Sequence, residues 1–286
     1  MDLGNILEDI IESGKIPTVT LNKIFRQAAQ SKIVLNAHNV NNGKVFINKE
    51  EIGKDEWNDL NNDFFYINEA NQEKIQYNVV SLCKERLKNY GDYNFFSDIQ
   101  VLTPTKKGAL GTKELNKLLQ QSLNPEEDDS KQKQMGDRVF RVGDRVMQIK
   151  NNYDIMWEKK AGEPKFGSGI FNGEFGIISN INEEEKQIKV VFDDEKIAWY
   201  QFQDLDQLEH AYAITIHKSQ GSEFDVVLIV LPQSAPMLLT RNLLYTGITR
   251  AKKMLIVIGS NKIVEFMINN TDSKKRNTGL KYKLRE

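Results

Sequence analysis

Apolar residues recur at spacings of three and four from Leu3 through Ile6, Leu7, Ile10 and Ile11, which predicts a short amphipathic helix over residues 1–16 that ends near Ser13-Gly14. Residues 18–21 then read as a strand. Asn22 opens a helix carrying Ile24, Phe25, Ala28, Ala29, Ile33, Val34 and Ala37, and the Asn-rich stretch 39–62, broken by Gly43 and Gly53, reads as loop. A strand is expected at 64–67. The next helix, 69–90, places Ile75, Val79, Leu82, Cys83 and Leu87 on one face and stops at Gly91. Residues 98–105 form a strand cut by Pro104; the basic glycine loop 106–111 follows, then a helix capped by Thr112 with Leu115, Leu118, Leu119 and Leu123 turned inward.

The pattern changes near residue 140. Short strands at 143–149, 174–181, 187–192 and 197–202, with Asn172-Gly173 and the acidic run 182–185 as hairpin signals, predict a small SH3-like barrel inserted into the larger domain. Beyond it the apolar runs become continuous, at 224–231 and 254–259. Such runs belong to strands buried on both faces, so the larger domain is expected to be α/β around a parallel sheet. Polar residues are concentrated just before these two strands, in 215–224 (TIHKSQGSEF) and 245–252 (YTGITRAK).

A chain of 286 residues with 40% hydrophobic and 28% charged residues is long enough for one large domain or two ordinary ones. No run approaches the length of a membrane helix, and no membrane partner is expected. The first residues lack the basic and apolar regions of a signal peptide, and the single cysteine, Cys83, permits neither an internal disulfide nor a cysteine zinc cluster; both point to the cytoplasm. Cys83 is read as a packing residue. The net charge of −1 requires any nucleic-acid surface to be a local patch. Residues 272–286 hold six basic residues against two acidic and read as a solvated, disordered tail.

The two polar stretches carry a resemblance. TIHKSQGSEF resembles motif V, and YTGITRAK motif VI, of superfamily-1 DNA helicases, closest to the RecD/TraA branch that moves 5′ to 3′ on single-stranded DNA. The resemblance implies a RecA-like (P-loop NTPase-type) motor domain at 17–139 and 204–262 with an SH3-like barrel at 140–203. Residues 1–16 would end the first motor domain or link to it, and 263–286 would be a basic tail. It implies that Arg250, and Arg26 in the motif-IV-like IFRQ at 24–27, reach the γ-phosphate of ATP. Gln220, Gly221 and Glu223 would lie at the nucleotide, with Glu223 accepting from the ribose hydroxyl. Single-stranded DNA would be held by Thr103, Pro104, Lys106, Thr215, His217, Lys218 and Ser219, groups that suit a sugar-phosphate backbone read without regard to sequence. Read from the residues alone, Arg26 is a surface arginine on an amphipathic helix, His217 is equally a structural histidine, and Lys218 equally a solvated cation.

No G-x-x-x-x-G-K-[ST] phosphate loop occurs in the chain. Ser13-Gly14-Lys15 imitates its end, but Ile16 stands where Ser or Thr is required; Val190 to Glu195 imitates an apolar strand with a Mg²⁺ carboxylate pair but sits in a hairpin pattern. The expectation is therefore the C-terminal part of an ATP-dependent DNA helicase of repair and recombination. It would be inactive as an ATPase by itself and would use ATP and Mg²⁺ only together with an N-terminal motor domain. A stand-alone nucleic-acid-binding module, a purely structural interaction domain and the helicase part of a conjugative relaxase remain as alternatives.

Overall fold

The computed structural model describes residues 4–19, 31–46, 62–126, 131–162, 164–233, 236–271 and 280–285. The chain runs α1 (Gly4–Ser13), α2 (Lys32–Asn41), β1 (Phe64–Asn68) and α3 (Gln72–Ser81), which passes through a π turn (Leu82–Arg86) into α4 (Leu87–Gly91). A single turn, α5 (Phe95–Asp98), precedes β2 (Ile99–Thr103) and α6 (Thr112–Leu123). Nine strands follow: β3 (Gln132–Met135), β4 (Arg138–Arg141), β5 (Arg145–Gln148), β6 (Asn152–Glu158), β7 (Phe166–Ile170), β8 (Phe175–Asn182), β9 (Gln187–Phe192), β10 (Ile197–Gln201) and β11 (Leu208–His210). The chain then returns through β12 (Ala213–Thr215), β13 (Phe224–Val230), α7 (Arg241–Ile248), β14 (Ala251–Gly259), α8 (Asn261–Asn269) and α9 (Leu280–Lys283).

The larger sheet is parallel, in the order β1-β14-β13-β2-β12. Its central strands are apolar on both faces because both faces are covered. Val226, Leu228 and Val230 of β13 pack with α3, α4 and α6 through Ile75, Leu87 and Leu119. The alternate residues Val227 and Ile229 pack with α2, α7 and α8 through Val40, Leu244 and Met267. This helix–sheet–helix sandwich is the α/β arrangement expected of such continuous apolar runs, and it is the layout that the resemblance implies for a RecA-like domain.

The smaller sheet is antiparallel and curled, in the order β11-β5-β8-β9-β10-β6-β7, around Phe140, Val146, Ile178, Ile188, Val190 and Tyr200. The strands expected at 143–149, 174–181, 187–192 and 197–202 are present as β5, β8, β9 and β10. Asn172-Gly173 makes the turn between β7 and β8, with Gly173 at φ +99°, a conformation that residues bearing a Cβ rarely adopt. The hairpins β3–β4 and β6–β7 were not legible in the sequence, since 152–158 and 166–170 show no alternation that separates them from loop.

A buried carboxylate joins the two sheets. Asp144, with no exposed surface, takes Gln120 Nε2 (2.6 Å) and the Arg141 amide (2.7 Å) on Oδ2, and Asn124 Nδ2 and the Tyr212 hydroxyl (both 2.8 Å) on Oδ1. His210 Nε2 lies 3.1 Å from Oδ2. Thus α6, the start of the curled sheet and the strand leading back to the parallel sheet all converge on one side chain. Burial, and next the Asp144 carboxylate, push the Tyr212 hydroxyl far above its ordinary pKa, so it stays a donor at any working pH.

Some local expectations differ from the structure. Within the described residues α2 starts at Lys32 rather than continuing from Asn22. Ser31 Oγ accepts from the Val34 amide at 3.3 Å, while Asp63 takes the Ser31 hydroxyl and the Lys32 amide, which fixes a helix start there. The helix also runs on to Asn41, into the expected loop. Of the expected strand at 18–21, Thr18 and Val19 lie in no strand and the rest falls outside the described residues. Thr112 is the first residue of α6 and not its cap; Gly111 holds the cap position with no side-chain bond. The described end of the basic tail is not free chain: α9 is helical and Arg285 Nη2 donates to the Glu12 carbonyl of α1 at 2.6 Å. Both imitations of nucleotide motifs are structural. Ser13 donates to Ile10 O at the end of α1, and 193–195 is the turn after β9.

Cys83 is buried in the π turn, and burial alone pushes its thiol well above the ordinary range. A chromophoric thiol reagent is expected to label it at least about a thousandfold more slowly in native buffer than in guanidinium, because access requires opening of the helix layer. Rapid native labelling would mean that this layer opens locally.

Candidate nucleic-acid and nucleotide interface

At the end of β12 the chain leaves the parallel sheet through a single 3₁₀ turn, Ile216–Ser219, and re-enters it at β13. Thr215 caps the turn, its Oγ1 accepting from the Lys218 amide at 3.3 Å; Ser219 is fully buried and donates to Ile216 O at 2.8 Å. Both hydroxyls therefore shape the loop. They leave His217 and Gln220 exposed and Lys218 half-exposed on its outer side. Lys218 Nζ donates to Asn172 Oδ1 of the β7–β8 turn at 2.7 Å, so the loop is tied to the curled sheet. Burial holds the Lys218 ammonium below the ordinary lysine value, with Lys106 acting in the same direction and Glu209 opposing it.

Gln220, Gly221 and Glu223 form the exposed continuation of the loop. Gly221 has φ +89° and open space where a Cβ would stand, so its backbone can approach a ligand closely. Glu223 is exposed and lies 4.0 Å from Lys252 Nζ.

Arg250 follows α7, whose start is capped by Thr240 Oγ1 accepting from the Leu243 amide at 3.2 Å. Gly247 lets α7 press on the sheet: an added Cβ would stand 3.0 Å from Ile229 and 3.3 Å from Ile216. The Arg250 guanidinium donates to Thr246 O (3.1 Å), Ser222 O (3.0 Å) and Thr249 Oγ1 (3.1 Å), and the Phe224 amide donates to Arg250 O at 2.9 Å. The two motif-like stretches are thereby laced together. Three of the five N–H groups of a guanidinium are used, one on each nitrogen.

The groups read from the strand at 98–105 divide. Thr103 is fully buried and donates to Leu110 O at 2.7 Å, and Pro104 is buried too, so both hold the loop. Lys106 is exposed and pairs with Glu209 at 3.4 Å. The amides at the start of α6 are occupied by their own loop: Thr112 N donates to Thr105 O (3.0 Å) and Lys113 N to Lys106 O (3.3 Å). Arg26 lies outside the described residues.

A groove of about 760 Å³ runs between the loop, α6 and the β3–β4 hairpin, lined by Lys106, Lys113, Lys117, Arg138, Arg141 and Lys218 against Glu114, Asp137 and Glu209. Arg138 and Asn172 escaped sequence reading. The Gly136-Asp137 turn flanked by Arg138 and Arg141 was the available signal for the first; nothing local marks the second. For a nucleotide, the chain supplies an arginine and a polar loop but no phosphate loop, and among the described residues no group of carboxylates or histidines could hold a metal ion.

Comparison with known proteins agrees with this layout. The family model of the ATP-dependent RecD-like DNA helicase SH3 domain matches residues 115–192, and that of the UvrD-like helicase C-terminal domain matches 210–258. The chain is 30% identical, over 96% of its length, to uncharacterized protein MJ1519 of Methanocaldococcus jannaschii, of which it covers 25%. It is 31% identical, over 85% of its length, to the ATP-dependent RecD2 DNA helicase of Deinococcus radiodurans, covering 29% of that protein. It is 27% identical, over 72% of its length, to the RecBCD enzyme subunit RecD of Buchnera aphidicola subsp. Schizaphis graminum, covering 34%. The chain thus spans a quarter to about a third of these relatives. Among solved structures, the Pif1 helicase from Bacteroides in complex with ADP-AlF3 and ssDNA aligns with 87% of this chain and 53% of its own at 19% identity and a TM-score of 0.46. The chain carries a RecD-like helicase SH3 domain followed by a UvrD-like helicase C-terminal domain, the arrangement of the C-terminal part of RecD-like helicases.

Proposed function

We propose that this chain is the second motor domain, 17–139 with 204–262, and the inserted barrel, 140–203, of a 5′-to-3′ DNA helicase working in repair or recombination in the cytoplasm. Its task is to grip single-stranded DNA and to complete an ATP site whose phosphate loop and Mg²⁺ carboxylates sit on another RecA-like lobe. The observation that carries this reading is the lacing of the two stretches: Arg250 donates to Ser222 O, three residues beyond the loop turn that ends at Ser219. A guanidinium drawn toward the γ-phosphate of ATP would release or re-aim that bond, and the loop bearing His217 and Lys218 would feel it. Such shared bonds are a physical route for coupling nucleotide state to DNA grip. Arginine suits the task because its planar fork stays charged and can meet two phosphoryl oxygens at once. When bound, ATP supplies the free energy of each step. Arg250, with Arg26 assigned to the same task, would stabilise charge on the γ-phosphoryl oxygens; Gln220, Gly221 and Glu223 would hold the nucleoside side.

Fluorescence anisotropy with labelled oligo(dT) tests the DNA half of the proposal. Binding is expected to be weak, indifferent to base sequence and steeply salt-dependent, and to tighten when a phosphate-loop lobe is added. Lys218→Ala is expected to reduce the slope of log K against log salt by about 0.7, one phosphate contact on a single strand. Tight, sequence-specific binding to duplex would replace the motor reading with a stand-alone module. ATP hydrolysis by this chain alone, abolished by Arg250→Ala, would contradict the division of the ATP site.

A further inference from the structure

The curled sheet presents an aromatic pair beside the DNA-facing loop. Tyr153, in the irregular first half of β6, and Phe171, just after β7, have ring centroids 5.5 Å apart in an edge-to-face arrangement, yet 65% and 40% of their surfaces are exposed. Single exposed rings are ordinary on a protein surface, but two that meet edge to face present one contiguous π surface to water. Phe171 is also held in place. The Phe171 amide donates to Glu174 Oε1 (3.1 Å) and the Asn172 amide to Asn151 Oδ1 (2.9 Å), while the Phe171 ring lies back over Gly169, where an added Cβ would meet it at 3.0 Å. The residue after Phe171 is Asn172, whose side chain accepts from Lys218. Phe171 therefore lies one residue away from a bond to the loop that carries His217 and Lys218, and Tyr153 packs against the Phe171 ring.

We infer that Tyr153 and Phe171 form a stacking platform for the bases of single-stranded DNA, extending the track from the 216–219 turn onto the curled sheet. The chemistry is complementary: cations and amides on the loop meet phosphate, and exposed π faces beside them take bases without regard to sequence. Lys218 contributes twice, as a cation and as the tie that keeps the platform in register with the loop. Asp154, next to Tyr153, stands against phosphate at that point, so the platform meets bases and not backbone. This inference rests on the single-strand reading above and adds a base-contacting surface to it.

The test uses the whole chain and two fluorescein-labelled probes of equal length, oligo(dT) and an oligomer of abasic sites that keeps the phosphates and lacks bases. Wild type is expected to prefer oligo(dT). Tyr153→Ala with Phe171→Ala should lose roughly tenfold or more on oligo(dT), leave the abasic oligomer unchanged and keep the salt slope, whereas Phe171→Trp should retain wild-type affinity. Circular dichroism melts check folding. Should the double variant melt early, Tyr153→Ser alone, at the more exposed position, is expected to lose about threefold or more on oligo(dT) only. A folded variant that binds oligo(dT) as wild type does, while Lys218→Ala binds weakly, overturns the platform and leaves the single-strand reading standing. Equal losses on both probes would assign the rings a structural role and overturn it as well. No binding of either probe by wild type, even with a phosphate-loop lobe present, would overturn the single-strand reading and the platform with it.

Discussion

Arg250→Ala is expected to slow single-turnover ATP hydrolysis by roughly 10³–10⁵-fold when this chain is joined to a phosphate-loop lobe, with nucleotide affinity much less affected. The asymmetry follows from when the charge is needed. An arginine aimed at the γ-phosphoryl oxygens interacts most strongly as charge develops on them, so its loss falls on rate more than on binding. Arg250→Lys keeps the positive charge but lacks the planar fork that now donates to Thr246 O, Ser222 O and Thr249 Oγ1 at once, and is expected to recover only a small part of the rate. The same substitution is expected to weaken the response of DNA affinity to nucleotide, since the bond to Ser222 O is the contact shared with the loop. A rate for Arg250→Ala within tenfold of wild type would remove Arg250 from the reacting phosphate.

The second large effect is on stability. Asp144→Ala would leave the Tyr212 hydroxyl, Gln120 and Asn124 without their buried acceptor and is expected to cost about 3–5 kcal/mol, read as a fall in the urea midpoint at unchanged slope. That is a large part of the roughly 5–15 kcal/mol by which a domain is stable. Asp144→Asn keeps one carbonyl oxygen for Tyr212 and Asn124 but turns an amide toward donors on the other side, so a smaller loss is expected, about 1–3 kcal/mol. Because the carboxylate ties α6, Arg141 and Tyr212 together, the surviving Asp144→Asn protein should also bind DNA less well. The groove and the curled sheet would no longer be held at one fixed angle. A variant of full stability would mean that water or His210 takes over the acceptor's role.

Much of this was readable from local patterns because the causes are local. Continuous apolar runs at 224–231 and 254–259 require cover on both faces, and the helices that supply it carry their own periodicity, so the α/β sandwich followed from spacing. The strands β5, β8, β9 and β10 were legible from alternation and from Asn172-Gly173. The β6–β7 hairpin was not, since it keeps Tyr153, Met156 and Phe166 exposed and so lacks the alternation that burial on one face imposes. Thr112 read as a cap by residue type, yet in the fold the loop doubles back and occupies the amides a cap would have served.

The linear order of residues determined which groups the loop and the following helix contain: hydroxyls, His217, Lys218, Gly221, Glu223 and Arg250 around two buried strands. Only the tertiary structure decided their division of labour. It turned Thr103, Thr215 and Ser219 inward as supports, left His217 and Lys218 outward, set Arg250 on Ser222, and brought Asn172 to Lys218 across a separation of 46 residues. The reason is physical. A hydroxyl or an ammonium has the same chemistry in either role, and what selects the role is whether a partner from a distant segment reaches it before solvent does, which no local spacing encodes.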